Sequence, residues 1–404
     1  MTAHRAVLEA GPGTIRRLCC GTTGSANEEA VGAALDGIDD RVALVGGRPV
    51  GVGSLWRAAL RSASCAPSTG VVVVHPSWWP PSRVVTVTAA AATLADDVAA
   101  RPRSELLKRA SNGEPGVTVV VEIAERLVVV AGPEVIAIPR RGAPDLVAEE
   151  VGRAVGAMPG TSVVIDAACG VAGAPELAAS IARAARGAGR TVAVVDDARW
   201  AALARSAFPE PPEPAAPARS RVPRHAALAA CAMFLTAGPL GVYAVIPSAP
   251  RDVAAVDAVE TAPTTVLVEG RVALSVPRDW PTQRVVAGPG SARVQVTSPS
   301  DAEAALHLTQ SPVGEETLSE TAERLKRAID AEAAGVFVDF NPTETTAGRP
   351  AVTYRELRAH HHVRWSVFVD GPVRISVGCQ SRPGNEDAIR EACERAVRSA
   401  RAIG

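Results

Sequence analysis

Apolar positions change their spacing twice along the chain. Up to about residue 207, short Val-rich runs alternate with Ala/Leu/Arg stretches in which apolar side chains recur every three or four residues. Short apolar runs read as buried strands and the longer period as helices with one buried face, so this part predicts an α/β domain. Strands are expected at Arg41–Val45, Val71–His75, Thr118–Ile123, Leu127–Val130, Ser162–Ile165 and Thr191–Val195, and helices at Leu55–Ser62, Val84–Ala100, Pro144–Ala157 and Ala174–Ala188. From residue 264 the period shortens to two. Strand pairs are expected around Glu269-Gly270 and Asp370-Gly371, with further strands in ARVQVTSP, AALHLTQSPV and GRPAVTYREL. Two helices interrupt them: GEETLSETAERLKRAIDAEAAG, and NEDAIREACERAVRSARAI with Asn385 as its N-cap. An antiparallel sheet with two helices is an α+β domain.

Between the two parts lies Ala226 to Ile246, AALAACAMFLTAGPLGVYAVI, which has no charged residue. Its length suits the roughly 20 apolar residues of a membrane-crossing helix. Arg219, Arg221 and Arg224 precede it, whereas Arg251 is followed by Asp252, Asp257 and Glu260. That asymmetry predicts a single-pass plasma-membrane protein with a cytoplasmic N-terminus, an extracytoplasmic C-terminus and one span in contact with lipid. The expected organisation is then 1–207 cytoplasmic α/β domain, 208–225 Pro-rich linker, 226–246 transmembrane helix, 247–263 outer linker and 264–404 extracytoplasmic α+β domain.

Charge and cysteine usage add to this picture. A net charge of −1 gives no basic field for nucleic acid, which is not expected as a partner. MTAHRAVLEAGPG lacks a basic segment followed by an apolar one, so no cleaved signal is expected ahead of the first domain. Cys19, Cys20, Cys65 and Cys169 precede the apolar run, Cys231 lies in it, and Cys379 and Cys393 follow it. The first four are expected to stay reduced as small buried side chains. In an oxidising exterior the last two would form a disulfide pinning the terminal helix to the sheet, the alternative being two free buried thiols.

VVVVHPSWWPPSRVVTVTAAAATLADDV, Val71 to Val98, resembles the strand, His-Pro, Trp and helix-opening Arg segment of Hsp70-like, actin-fold ATPases of actinobacteria. VLEAGPGT, TVVVEIAERLVVVAG and SVVIDAACGVAGAPELAASIARA stand where those ATPases carry two phosphate loops and an adenosine-site segment. The chemistry of those loops needs glycine backbones against phosphate and aspartates for Mg²⁺. Here Glu9 and Glu122 replace the aspartates, Ala124, Glu125, Arg126 and Leu127 replace the glycines and threonine, and Ala167-Ala168 stands for Gly-Gly. The resemblance thus implies a degenerate actin/Hsp70-like ATPase domain with nucleotide an unexpected partner and no cofactor.

V-x-V-P-x-x-W, GRPAVTYRE, W-S-V-F-V and V-G-C-Q-S…A-C-E-R-A-V-R-S together resemble the C-terminal domain of the type VII secretion-associated protein family of actinobacteria. The resemblance covers about residues 264–404 and implies a Mog1/PsbP-like outer fold and an association with type VII (ESX) secretion. No G-x-S-x-G, P-loop or H-E-x-x-H occurs up to about residue 207, and catalytic and metal residues are not expected. His360 and His362 would share a strand face but lack a third ligand, and Asp196-Asp197 reads as a solvated turn. The expected function is a non-enzymatic membrane accessory or scaffold whose partners are type VII secretion components or other membrane proteins. A chaperone-like ATPase coupled to the outer domain, or a transmembrane sensor of a cell-envelope ligand, are the alternatives.

Overall fold

The computed structural model describes residues 4–20, 27–65, 68–111, 118–168, 170–208, 263–285 and 293–403. In the N-terminal half, β1 (His4–Ala10), β2 (Ile15–Arg17), α1 (Glu28–Asp36), β3 (Val42–Val45), β4 (Arg48–Gly51) and α2 (Val52–Ala63) come first. They are followed by β5 (Ser68–His75), α3 (Pro81–Ala91), β6 (Val98–Pro102) and α4 (Arg103–Leu107). Next come β7 (Thr118–Ile123), β8 (Leu127–Ala131), β9 (Val135–Pro139), α5 (Pro144–Ala157), β10 (Ser162–Asp166), α6 (Ala174–Gly187), β11 (Thr191–Val195) and α7 (Asp197–Ala207).

These strands form two sheets, in the orders β2-β1-β5-β6 and β11-β10-β7-β8-β9. In each, parallel pairs on one side of the leading strand, β1–β5–β6 and β7–β10–β11, adjoin an antiparallel neighbour on the other side. The Val-rich runs are buried on both faces, as parallel strands covered twice should be. Val71 and Val73 face a core with Trp56 and Ala90 from α2 and α3, and Val163 and Ile165 face one with α5 and α6. Val72 and Val74 of one sheet and Val120 and Val164 of the other share a third core with Leu106 of α4 and Trp200 of α7. The two sheets therefore face each other with α4 and α7 in the same layer.

The C-terminal half contains β12 (Thr264–Glu269), β13 (Val272–Pro277), β14 (Thr282–Val285), β15 (Arg293–Thr297), β16 (Ala305–Pro312), α8 (Leu318–Asp330) and β17 (Phe337–Thr346). It ends with β18 (Arg349–Leu357), β19 (His362–Asp370), β20 (Val373–Ser381), α9 (Asp387–Ser399) and β21 (Arg401–Ala402). An antiparallel sheet runs β14-β15-β16-β20-β19-β18-β17, beside a smaller sheet β12-β13-β21. Adjacent β19 residues separate the helices: Val367 packs with Ala322 of α8, whereas Phe368 packs with Ile389, Ala396 and Val397 of α9. A disulfide joins Cys379 of β20 to Cys393 of α9, with Cα atoms 5.8 Å apart.

The expected transmembrane arrangement is corrected here. Among the described residues no helix is long and apolar enough to cross a membrane, and residues 226–246 lie outside them. The domains expected on opposite sides of a bilayer instead belong to one compact unit, residues 1–210 with 263–404. Ala124, Leu127, Val129 and Val135 share a continuous apolar core with Val266, Val268, Ala273 and Ile403. Side chains that exclude water together cannot be separated by a membrane, so the single-pass localisation falls with the topology. Two local expectations also change. The helix expected to reach Ala100 stops at Ala91, because Val98–Pro102 pairs in parallel with β5. The N-cap of α9 is Glu386 rather than Asn385, and Glu386 makes no side-chain capping bond.

Candidate functional site

In open α/β sheets, ligands bind beyond the carboxyl ends of the strands. Here β1, β7 and β10 bring Glu9, Glu122 and Asp166 to that position, each 1% exposed, and Asp166 is the register partner of Glu122. The crevice they would line is filled from within. Arg103, the first residue of α4 and fully buried, donates from Nη1 to Glu9 and from Nε and Nη2 to Asp166, the last bond at 3.0 Å. Its guanidinium lies 3.9 Å from the ring centroid of Trp200, whose indole N–H donates to Glu9 at 3.0 Å. Burial opposes the charge on Arg103, but Asp166 and Glu9 hold its guanidinium protonated well above the ordinary range.

A second arginine closes the outer edge. Arg16 of β2 donates to Glu9 and, in a bidentate fork, to Asp197 at 2.8 and 3.0 Å. The two acids read from sequence as a solvated turn thus have separate tasks. Asp196 caps α7 by accepting from Arg199 N at 2.8 Å, and Asp197 pairs with Arg16.

Glu122 is the acid left over. Its Oε2 accepts from Ser77 N at 3.0 Å, while its Oε1 is buried without a hydrogen-bond partner among the described residues. Burial pushes its carboxyl up to about 7, against the hydrogen bonds from Ser77. A neutral acid there leaves Glu9, Asp166 and Asp197 facing Arg16 and Arg103.

The glycine turn is consumed in the same way. Gly11 N donates to Thr14 O at 2.7 Å, and a Cβ on Gly13, whose φ is 70°, would stand 2.5 Å from the Gly170 carbonyl oxygen. The close approach that a phosphate would need is taken by the chain itself. A cavity of about 560 Å³ does open beside this turn, walled by Trp78, Trp79, Ala124, Glu125, Arg126 and the β12–β13 turn. Glu9, Arg103, Glu122 and Asp166 are not among its walls.

The residues at this junction tie the two halves together. Arg83 is buried against Asp39 and donates to Val268 O at 2.9 Å. Arg284 donates to the Asp39 carbonyl at 2.5 Å, to Asp40 at 3.2 Å and to Glu269 at 2.6 Å. Burial raises the Glu269 carboxyl from its ordinary value despite Arg284.

Other sequence candidates are scattered. His361 contacts Glu303 at 3.2 Å and His362 opens β19, and no metal-ligating group among the described residues includes the histidine tract. Cys169 and Cys231 lie outside the described residues. Of the remaining cysteines ahead of the apolar run, Cys65 is buried, Cys19 is half-buried and Cys20 is exposed, so the expectation of buried thiols fails at Cys20.

No family model and no curated protein matches the chain. Neither the type VII secretion-associated family nor an Hsp70-like ATPase is supported from that side. Among solved structures, cyanobacterial PsbP (CyanoP) from Synechocystis sp. PCC 6803 is 14% identical over 37% of this chain and 98% of its own, with a TM-score of 0.28. A Bacteroides thetaiotaomicron VPI-5482 protein is 9% identical over 33% of this chain and 46% of its own, with a TM-score of 0.24. The chain thus has a weak likeness to a PsbP-like fold, at scores that decide nothing about its function.

Proposed function

We propose that the protein is a non-enzymatic accessory or scaffold, associated with type VII secretion, in which the strand-end crevice is a structural lock. The buried Arg103, held between Glu9 and Asp166 and stacked on Trp200, carries this reading. Glu9 and Asp166 are already neutralised by a fixed guanidinium and Gly13 backs onto the Gly170 carbonyl, so Mg²⁺ would find those two carboxylates taken and phosphate would find that approach closed. The association with type VII secretion rests on the sequence motifs of residues 264–404.

Two measurements test the two parts separately. Titration of the purified chain with ATP and Mg²⁺, followed by calorimetry, is expected to give no heat of binding; micromolar affinity would defeat the non-enzymatic reading. In-cell crosslinking followed by affinity capture is expected to recover secretion-machinery subunits, and their absence among reproducible crosslinks would remove the secretion assignment.

A further inference from the structure

Four soft or borderline donors converge at the opposite end of the first sheet. His4 opens β1, Cys19 and Cys20 follow β2, and Cys65 follows α2. Cys65 Sγ lies 3.3 Å from His4 Nε2 and 3.6 Å from Cys19 Sγ, and Cys19 Sγ lies 3.9 Å from Cys20 Sγ. All four ligand atoms fall within 4.8 Å of one another.

These three distances match edges of a coordination tetrahedron, and the remaining pairs lie within 4.8 Å. Zinc held at about 2.3 Å from sulfur and about 2.0–2.1 Å from nitrogen sets edges of roughly 3.8 Å between sulfurs and roughly 3.5 Å between sulfur and nitrogen. Any one disulfide would leave the third thiol unpaired, and the set is compositionally that of a closed Cys₃His site.

The electrostatics are uneven around the centre. Burial, reinforced by Cys19, pushes the Cys65 thiol up to about 12. At Cys20 burial acts in the same direction, but Arg17, donating to its sulfur from 3.5 Å, brings the thiol below its ordinary value. Cys20 is the exposed point of entry for a cation.

We propose that His4, Cys19, Cys20 and Cys65 bind one zinc ion. Binding transfers the thiol protons to solvent and leaves three thiolates and a neutral imidazole around the metal, with no oxidation or reduction. Four protein ligands leave no open position for substrate water, so the ion is structural. It adds a side-chain tie among the start of β1, the end of β2 and the end of α2 to the pairing of β1 with β2 and β5.

The full-length chain, purified under reducing conditions from zinc-containing medium and desalted, is expected to carry one equivalent of zinc by mass spectrometry. Replacement by Co(II) is expected to give the intense thiolate charge-transfer and tetrahedral d–d absorption of a sulfur-rich site. Cys65→Ser and His4→Gln should lose the zinc. The exposed Cys20→Ser should keep the circular dichroism of the parent chain yet yield its zinc to a chelator that leaves the parent loaded. The proposal fails if the folded, reduced chain carries no zinc and gives no Co(II)-thiolate spectrum. It also fails if the Cys19→Ser/Cys65→Ser double variant keeps its zinc, or if thiol-blocked protein from cells contains a Cys19–Cys65 disulfide in place of metal.

Discussion

Arg103 decides the character of the N-terminal half, because two acids are buried on its account. Removing one partner of a buried ion pair leaves uncompensated charge and costs about 3–5 kcal/mol. Arg103→Met is expected to lose that much in urea unfolding, whereas Arg101→Met, at a half-exposed site nearby, should be close to neutral. Glu122 supplies a pH signature of known sign. Its carboxyl titrates near 7 in the folded chain and from an ordinary value of 4.5 when unfolded, so the folded state binds the extra proton between those values. Stability should therefore fall as pH rises from about 4.5 through 7, by at most roughly 3 kcal/mol, and Glu122→Gln should flatten the profile and melt higher above pH 7. Glu9 and Glu122 were visible in the sequence as departures from a phosphate-loop pattern. Arg103 was not, since its acceptor Glu9 is 94 positions away and nothing local marks a Pro-Arg-Ser segment as a core plug.

Individual elements follow local rules where the chain is self-sufficient and tertiary rules where it is not. The period of apolar residues places α5, β7 and β11 at their observed limits. It misses β2, β4, β6, β9, β14, β17 and β21; β2, β9, β14, β17 and β21 lie at sheet edges, and of these only β21 takes its hydrogen bonds from a strand far away in sequence. The α8 helix starts where its sequence says it should. Thr317 and Glu320 form a reciprocal capping box, so Thr317→Ala is expected to cost about 1 kcal/mol in thermal unfolding. Opening the Cys379–Cys393 bridge, whose residues are 14 positions apart, should cost about 3 kcal/mol. The Cys379→Ser/Cys393→Ser variant, compared with the parent chain by denaturant titration, measures it; an unchanged midpoint would mean that packing of Ile389 and Val397 alone holds α9.

For the whole molecule, the sequence separated what the fold joins. Hydropathy located a boundary near residues 208–263, but it cannot report that Val266, Val268 and Ile403 share a core with Trp56 and Trp79. Such contacts between residues far apart in sequence leave no periodic trace. If that shared core governs stability, calorimetry of the intact chain gives one cooperative transition. Arg83→Met, which unseats Asp39 and the bond to Val268 O, should lower it by about 3 kcal/mol and split it in two. Asp370, the last residue of β19, offers a gentler probe. Both its carboxylate oxygens accept from Arg141 of the N-terminal half, at 3.0 and 3.1 Å, and one of them also accepts from the Ala402 amide at 2.8 Å. Asp370 thus links that amide to Arg141 across the junction: in Arg141→Ala the deuterium uptake of the Ala402 amide should speed up while amides in the centre of β20 keep their pace.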